Sequence, residues 1–411
     1  MANYAEKPKK KISASRDIAM DKLDIGGASP KTPKKKQDKI KGRPKNAFAR
    51  FAESAFPQKH DSGTEKLRKI VLLAAIVVFA VTVGILLYQL VSMGGSKKID
   101  DNTKDTAGVE DGTIDMDRYD DPTSGGVLPG STTASTPESE IIIDIDETEE
   151  IDVTPLVNTP LNVNFSSLLA QNPDTRAWIK ITGTYLNDVV MQGETLNSKY
   201  LKLAFDGSES VSGTIFSHYK NKWDGTDENI ILFGHNMLSG ERFASVRYYI
   251  PYDASREPIA FYKVHPTVML ATPDGGSETY KIFAGIIANT DSQYGEVFKY
   301  ASKTSFSGVD DFNQFIIDVM DRSWFFTDVD ITYGDQLLTL STCWWPLGED
   351  VDTRWVLFAR KVRPGESEYV DTSLAQRNYN ARLFEYYYNQ IGGKWYGSTW
   401  DKSKLLSYTG E

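Results

Sequence analysis

Two stretches near the carboxyl end, QLLTLSTC (336–343) and RWVLFARKV (354–362), decide the fold of this chain. Both are short and rich in apolar and β-branched residues, and a loop with Gly, Pro and Asp separates them, which is typical of neighbouring strands. Five further runs share this character: 178–184, 213–220, 229–236, 267–273 and 279–290. So many short strands with few helices predict a mainly β fold, either a closed barrel or a sandwich.

Two segments break the β pattern. Residues 309–322 are predicted to form a helix before the cysteine strand, because apolar residues recur at helical spacing: Val309, Phe312, Ile316 and Val319. A second helix is predicted over 372–390, ending at Gly392, with this apolar stripe: Leu374, Tyr379, Leu383 and Tyr387. We expect residues 365–411 to be a helical extension that packs on the barrel rather than a separate domain.

The 411-residue chain carries a formal net charge of −10 that is unevenly distributed. Residues 1–69 are basic, with KPKKK at 7–11 and KTPKKK at 31–36, which predicts a disordered cytoplasmic tail. A nucleic-acid-binding arm would have the same character. Attraction to anionic lipid headgroups is the simpler interpretation beside a membrane anchor, so no nucleic acid partner is expected.

The run IVLLAAIVVFAVTVGILLY (70–88) has no charged side chain. Extended to residue 93, it makes roughly 36 Å of helix, which is enough to cross a bilayer. Basic residues precede the run and acidic residues follow it, so the positive-inside rule places the N-terminus in the cytoplasm and the large C-terminal part outside. A cleaved signal peptide is the alternative, but about 69 residues precede the run, whereas signal peptides start much closer to the terminus.

The remaining boundaries follow from composition. Residues 94–160 are rich in Asp, Glu, Thr, Ser, Gly and Pro, which predicts an acidic extracellular linker. Within it, IIIDIDETEEID (141–152) could add an edge strand. From residue 161 the composition becomes globular, so the β domain is placed at 161–364. We expect this domain to fold without the tail, the transmembrane helix (70–93) and the linker.

Cys343 is the only cysteine, so no intramolecular disulfide is possible. It ends an apolar strand, which fixes its position, and the loop beginning with Trp344, Trp345 and Pro346 leaves it accessible. These are favourable conditions for a nucleophile. A single cysteine is more often a small buried apolar side chain, and its position alone leaves both roles open.

His235 also occupies a strand end, in NIILFGHN, where Gly234 permits close approach. A structural, hydrogen-bonded imidazole is the alternative for each of the four histidines. His60 lies in the basic tail, His265 precedes a proline in a loop-like stretch, and His218 lies within a strand. His235 is therefore the best candidate to exchange a proton with the thiol.

Arg354 opens the strand that follows Cys343, and the intervening loop can fold back to bring its guanidinium beside the thiol. A fixed cation there stabilises a tetrahedral oxyanion. The alternative for Arg354 is a surface ion pair with Asp350 or Asp352. Arg360 is its rival for the catalytic role, but it lies six residues further along the same strand, roughly 20 Å away.

TLSTC (339–343), GHN (234–236) and Arg354 at the start of the last strand together resemble the sortase family. Three features resemble its class B: the opening NFSSLLAQNPDTRAWIKITGT (164–184), the stretch GHNMLSGERF (234–243), and the helix before the cysteine strand. The similarity covers roughly residues 161–363, about half of the chain.

The resemblance implies an eight-stranded β-barrel and a cysteine transpeptidase. Sortases cut a C-terminal sorting motif of a surface protein, hold the product as a thioester, and pass it to an amine of a cell-wall precursor or a pilin. The family roles of nucleophile, proton-transfer partner and oxyanion cation correspond to Cys343, His235 and Arg354. No cofactor or metal is implied, and four scattered histidines with one cysteine do not suggest a zinc site.

Several functions remain open. Anchoring of proteins to a Gram-positive cell wall is the leading hypothesis, because no lid sequence typical of pilin-polymerising sortases is evident. Pilin polymerisation, with a lysine acceptor, is the nearest alternative. A non-catalytic, membrane-tethered binding barrel belongs to a different class. A papain-like hydrolase is disfavoured, because its cysteine would lie early and on a helix.

Overall fold

The computed structural model describes residues 55–114, 116, 153–195, 197–251, 259–348 and 350–405. Most of the basic tail and the predicted edge strand at 141–152 lie outside these ranges. Contacts divide the chain into two units, residues 1–79 and 80–411. Helix α1 (Gly63–Ala107) begins in the first unit and ends in the second. All the other elements described below lie in the second unit.

The first part of α1 is apolar and exposed. Within Gly63–Tyr88, the most apolar window of 18 residues has a mean hydropathy of 3.2 and none of it is buried, so its length and composition are sufficient for a membrane span. The helix is longer than the predicted span of 70–93. Gly94 and Gly95 do not end it, because Ser96, Thr103 and Ala107 are buried in the second unit and their packing outweighs the low helix propensity of glycine.

Ten strands and four further helices follow in the part of the chain that the structure describes. In chain order they are α2 (Phe165–Gln171), β1 (Thr175–Lys180), β2 (Asn187–Met191), β3 (Ile215–Ser217), β4 (Asn229–Phe233), α3 (Ala260–Val264), β5 (Thr267–Thr272), β6 (Gly276–Asn289), α4 (Val309–Arg322), β7 (Phe325–Phe326), β8 (Leu337–Cys343), β9 (Thr353–Lys361), β10 (Gln376–Arg377) and α5 (Glu385–Ile391). The described residues also form six short 3₁₀ turns, which begin at Lys199, Ala244, Ser292, Tyr300, Thr372 and Lys402.

Eight strands close into a barrel in the order β1-β2-β3-β4-β8-β9-β6-β5, which confirms the predicted fold class. The pairs β2–β3 and β4–β8 are parallel, and the others are antiparallel. Each of the seven predicted β runs overlaps one barrel strand, but β1 begins at Thr175 rather than at 178 and β6 begins at Gly276 rather than at 279. β2 was not predicted, because NDVVM is short and half polar. It is completed by β1, with Trp178 opposite Val189.

Alternation along the strands separates two hydrophobic clusters. In the first cluster, Leu338 and Leu340 of β8 pack with Trp355 and Leu357 of β9, and all eight barrel strands contribute residues. Leu337 belongs to the second cluster. The second cluster includes Phe312, Phe315, Ile316 and Val319 of α4. The predicted helix over 309–322 is therefore confirmed, and its apolar face packs on the barrel wall formed by β6 and β9.

The predicted helix over 372–390 is wrong. This segment contains a 3₁₀ turn, then β10 paired with β7, and only the short helix α5. Two of the predicted stripe residues, Leu374 and Tyr379, are exposed, whereas Tyr387 is fully buried. The cause is tertiary: the backbone N–H of Asn378 donates to the Trp324 carbonyl, and its side chain donates to that of Ser323. Gly392 ends α5 with φ 78°, as predicted.

Part of the predicted linker also packs on the barrel. Ala107 and Met116 are buried in hydrophobic clusters, and Asn187 donates to the carbonyl of Glu110. The stretch that reads as a spacer by composition therefore begins as a part of the barrel domain.

A buried ion network ties the end of β9 to the C-terminal extension. The Arg360 side chain is 1% exposed and donates to Asp330 at 2.7 Å and to Glu366 at 2.7 Å and 2.8 Å. Arg360 lies opposite Leu337, at the far end of the β8–β9 ladder from Arg354. The positive charge of Arg360 is neutralised by these carboxylates, so Arg360 is a structural residue that holds the extension in place.

We expect Arg360→Ala to lower the free energy of unfolding by about 3 kcal/mol, because it removes a buried guanidinium that binds Asp330 and Glu366, although these carboxylates keep Arg363 and Lys281 as partners. Urea denaturation measures this change. The control is the next residue: Lys361→Ala breaks a partly exposed ion pair with Glu278 and should cost about 1 kcal/mol or less. Equal effects of the two substitutions would contradict a structural role for the network.

Candidate active site

Cys343 is the last residue of β8, and its thiol is partly buried and unpaired with any other cysteine. Two residues earlier on the same face, Ser341 shares a 2.8 Å hydrogen bond with the buried hydroxyl of Tyr300. The strand is paired on both sides, by β4 and by β9, so the backbone at Cys343 is fixed. The thiol is thus held at the point where the barrel wall ends and a loop begins.

Arg354 lies directly opposite Cys343 in the β8–β9 ladder, as the sequence predicted. Its guanidinium also forms the ion pair with Asp352 that the sequence offered as an alternative, with Nη2 3.0 Å from Oδ2. The hydroxyl of Thr290 donates to the same oxygen of Asp352, Oδ2, at 2.8 Å. The two interpretations are therefore compatible: Asp352 holds the guanidinium beside the thiol.

His235 follows the end of β4, whose parallel pairing with β8 places Phe233 beside Ser341. Two residues further along each strand are His235 and Cys343, so both lie at the same end of the barrel. The Nε2 atom of His235 is 2.8 Å from the Leu201 carbonyl. When Nε2 carries the proton for this bond, Nδ1 of the neutral ring holds the free lone pair.

The other barrel histidines are engaged elsewhere. His218 is buried, accepts a hydrogen bond from the Lys220 backbone at Nδ1, and its own backbone pairs with Ile231 rather than with the β4 end. His265 contacts the Thr182 carbonyl through Nδ1 at 2.9 Å. Of these three histidines, His235 alone lies at the end of the barrel that carries Cys343.

Asn236 was not predicted to have a role, yet it joins the histidine segment to the cysteine strand. Its side chain donates to the Cys343 carbonyl at 3.1 Å. On the neighbouring residues, Thr342 donates to the Gly234 carbonyl at 2.8 Å. These bonds keep the two functional segments in contact beyond the last ladder pair. The GHN order could have suggested such a bond, but its partner is a backbone atom 107 residues away.

Burial and charge oppose each other at the thiol. Burial raises the pKa of the Cys343 thiol, the Arg354 guanidinium lowers it, and Asp352 raises it, with a net increase. For Arg354, burial lowers the pKa, but the hydrogen bond to Asp352 and the charge of Cys343 outweigh it and raise the pKa. Burial also raises the pKa of Tyr300 to about 12. The free thiol is therefore mainly protonated at neutral pH, and a base must remove its proton.

Trp344 begins the loop after Cys343 and packs edge-on against Trp324 and Trp355, with ring centroids 5.5 Å and 5.9 Å apart. The next residue, Trp345, is 44% exposed and donates to Asp352. One tryptophan thus anchors the loop and the other faces solvent beside the ion pair. Among the described residues, no group of three or more His, Cys, Asp or Glu side chains is arranged to hold a metal ion.

A closed barrel with a lone thiol at a strand end, a guanidinium opposite it and an imidazole at the same end has the components of a cysteine-dependent acyl-transfer enzyme. The family model described as a Sortase domain matches residues 179–362. Sortase B of Staphylococcus aureus (strain NCTC 8325 / PS 47) is 30% identical over 179 residues, which cover 44% of this chain and 67% of that relative. The chain belongs to the sortase family of cysteine transpeptidases.

Other similar proteins are also class B members. Sortase B of Listeria monocytogenes serovar 1/2a (strain ATCC BAA-679 / EGD-e) is 30% identical over 187 residues, or 46% of this chain and 70% of that relative. The solved structure of Clostridium perfringens sortase B is 29% identical, with a TM-score of 0.42, and the match covers 49% of this chain and all of that one. The two relatives at 30% identity, both sortase B, confirm the resemblance to class B in the sequence.

We expect the rate of Cys343 alkylation by iodoacetamide to rise with pH through a midpoint above the usual range of a cysteine thiol, because the net effect of burial and charge raises the thiol pKa. Arg354→Gln should move the midpoint to higher pH, since it removes the cation that lowers this pKa. Because Cys343 is the only cysteine, total labelling measured by mass reports this site alone.

Arg363→Gln is the matched control for the alkylation experiment. It removes an arginine nine residues further along the chain, about 30 Å away along an extended strand, and should leave the midpoint unchanged. A midpoint that stays constant or falls in Arg354→Gln would show that the guanidinium does not act on the thiol.

Proposed function

We propose that this chain is a membrane-anchored sortase that attaches surface proteins to the cell wall, with Cys343 as nucleophile, His235 as proton-transfer partner and Arg354 as oxyanion-side cation. The observation that carries the proposal is the direct pairing of Cys343 with Arg354 across β8 and β9, with His235 at the same end of the barrel. These residue types supply the covalent bond, the proton transfer and the charge stabilisation that amide transfer requires.

In the first half-reaction, the Cys343 sulfur attacks the scissile carbonyl carbon of the sorting motif. His235 accepts the thiol proton, and the carbonyl oxygen takes the negative charge of the tetrahedral intermediate. Collapse of this intermediate breaks the C–N bond, the leaving amine takes the proton from His235, and a thioester remains on Cys343. In the second half-reaction, an acceptor amine attacks the thioester carbonyl carbon and loses a proton to His235. The C–S bond then breaks as the new amide forms, and His235 returns the proton to the Cys343 sulfur.

Asp352 has a supporting role in this proposal. Its contact with Arg354 fixes the planar guanidinium, so little side-chain freedom is lost when the oxyanion forms. It also reduces the net positive charge near the thiol, which is consistent with the raised pKa of Cys343. The site thus favours a cation positioned for the transition state over one that ionises the resting thiol.

The substrate classes follow from family membership. We infer that the donor is a C-terminal sorting-signal peptide and that the acceptor is an amine of a Gram-positive cell-wall precursor. A pilin lysine is the alternative acceptor, and the two differ only in the second half-reaction. A non-catalytic binding barrel is the remaining alternative, although the partly buried thiol opposite a guanidinium favours chemistry.

The membrane anchor is proposed from α1, whose residues 70–88 are apolar and mostly exposed. The positive-inside rule gives a single-pass protein with a cytoplasmic N-terminus and an extracellular catalytic domain. This orientation places the enzyme on the side of the membrane where exported proteins and wall precursors meet.

We expect Cys343→Ala to abolish cleavage and transfer of sorting-motif peptides, because no other residue can form the thioester. His235→Ala should lower kcat/KM by roughly 10²–10⁴-fold, since it removes proton transfer in both steps. Arg354→Ala should lower it by roughly 10²–10³-fold, and Arg354→Lys should rescue only partly, because an ammonium lacks the planar fork. Mass analysis of products from a peptide library with added amines measures these rates.

His218→Ala is the control for the histidine, since its ring is engaged on another part of the barrel, and it should keep most of the activity. An inactive His218→Ala together with an active His235→Ala would show that the base is assigned wrongly. Cleavage by Cys343→Ala would exclude a cysteine transpeptidase and favour the binding barrel.

We expect protease added to intact cells without a wall to remove the C-terminal domain and to spare residues before the span, because the charge asymmetry directs the N-terminus inward. Immunoblots against each end of the chain measure this result. Replacing residues 70–93 with a polar spacer should release active enzyme into the medium or the soluble fraction. Protection of the catalytic domain in intact cells would reverse the proposed topology.

A further inference from the structure

The last turns of α1 and the residues after them are attached to the barrel by side-chain contacts. Ser96 lies 2.8 Å from the hydroxyl of Ser210, and Gln171 donates to Thr106. The Ala107 carbonyl accepts from the Asn164 backbone at 2.9 Å. This part of α1 is therefore packed within the second unit, and its contacts reach segments more than fifty residues away in sequence.

Arg242 is at the centre of the attachment. Its side chain is 1% exposed, and its guanidinium donates to Asp100 of α1 at 2.9 Å and to Asp188 of β2 at 2.5 Å. Its Nε atom donates to the carbonyl of Ser212. One buried cation thus connects the helix, a barrel strand and the segment before β3. Asp100 and Arg242 are separated by 142 residues in the chain.

The same residue closes the segment that carries His235. Arg242 forms a backbone bridge with Asn236, and the next residue, Phe243, donates from its backbone to the His235 carbonyl at 2.9 Å. The φ angle of Arg242 is 57°, which is uncommon for a residue with a side chain. The buried contacts of the guanidinium hold this backbone conformation in place.

We propose that Arg242 is a positioning residue for His235, and that Asp100 of α1 takes part in this positioning through its contact with the Arg242 guanidinium. Asp100 fixes the guanidinium, the guanidinium fixes the tight segment 236–242, and this segment fixes His235 and the Asn236 bond to the Cys343 carbonyl. The proposal rests on the proposed role of His235. It assigns the helix beyond the span a function in catalysis in addition to attachment.

Energetic reasoning favours Asp100 as the point to test. Loss of one carboxylate leaves the buried guanidinium with Asp188 and Ser212 as partners, so the fold is retained while the helix-side constraint is lost. A small displacement of a catalytic group lowers the rate of chemistry more than the affinity for substrate. The expected signature is a lower kcat with an unchanged KM.

The experiment uses the full-length protein in detergent and a sorting-motif peptide with an amine acceptor. Asp100→Asn should lower kcat roughly tenfold at constant KM, and Asp100→Glu should restore most of it. Asp188→Asn, on the opposite side of the same guanidinium, should lower kcat in the same way. Lys104→Gln is the matched control, because Lys104 is also on α1 but pairs with Asp111, and it should leave kcat unchanged.

A double-mutant cycle separates positioning from a general loss of structure. In the His235→Ala background, Asp100→Asn should cause less than a twofold further loss, because the group that it positions is already absent. A full tenfold loss in that background would overturn the proposal, as would unchanged kcat in both Asp100→Asn and Asp188→Asn. If His235→Ala itself keeps full activity, the proposed function of His235 fails instead, so the two failures are distinguishable.

Discussion

The antiparallel pairing of β8 with β9 is the constraint on which the active site depends. It places Cys343 opposite Arg354 at one end and Leu337 opposite Arg360 at the other. Because side chains alternate along a strand, a slip of one residue would turn the Leu338 and Leu340 side chains out of the core and separate the thiol from the guanidinium. The burial of the barrel interior therefore selects the same register that chemistry requires.

The two ends of this ladder use arginine in different ways. Arg360 is fully buried, and its partners Asp330 and Glu366 neutralise it. Arg354 is 26% exposed and has one fixed carboxylate partner, so part of the guanidinium remains accessible to an approaching oxygen. A buried cation with all its charges paired stabilises a connection, whereas a partly exposed and oriented cation is suited to a transient negative charge.

The barrel also depends on segments outside the residues that match the family model. The C-terminal extension contributes Phe384 and Tyr387 to the main core, and Ala107 of α1 belongs to another buried cluster. Arg242 connects α1 to the histidine segment through a single buried guanidinium. Regions on both sides of the barrel thus restrict the elements that carry the proposed catalytic residues.

The sequence alone determined the features that local patterns encode: seven of the eight barrel strands, helix α4, the apolar span of α1, and the placement of Cys343 and Arg354 on adjoining strand ends. Tertiary structure decided the rest. β2 and the non-helical course of residues 372–384 depend on partners that propensity does not reveal, and α1 continues past Gly94 because its buried face meets the barrel. Likewise, the bonds of Arg242 to Asp100 and of Asn236 to Cys343 join residues over 100 positions apart. Periodicity reports which face of an element is buried, but only the folded chain determines what that face meets.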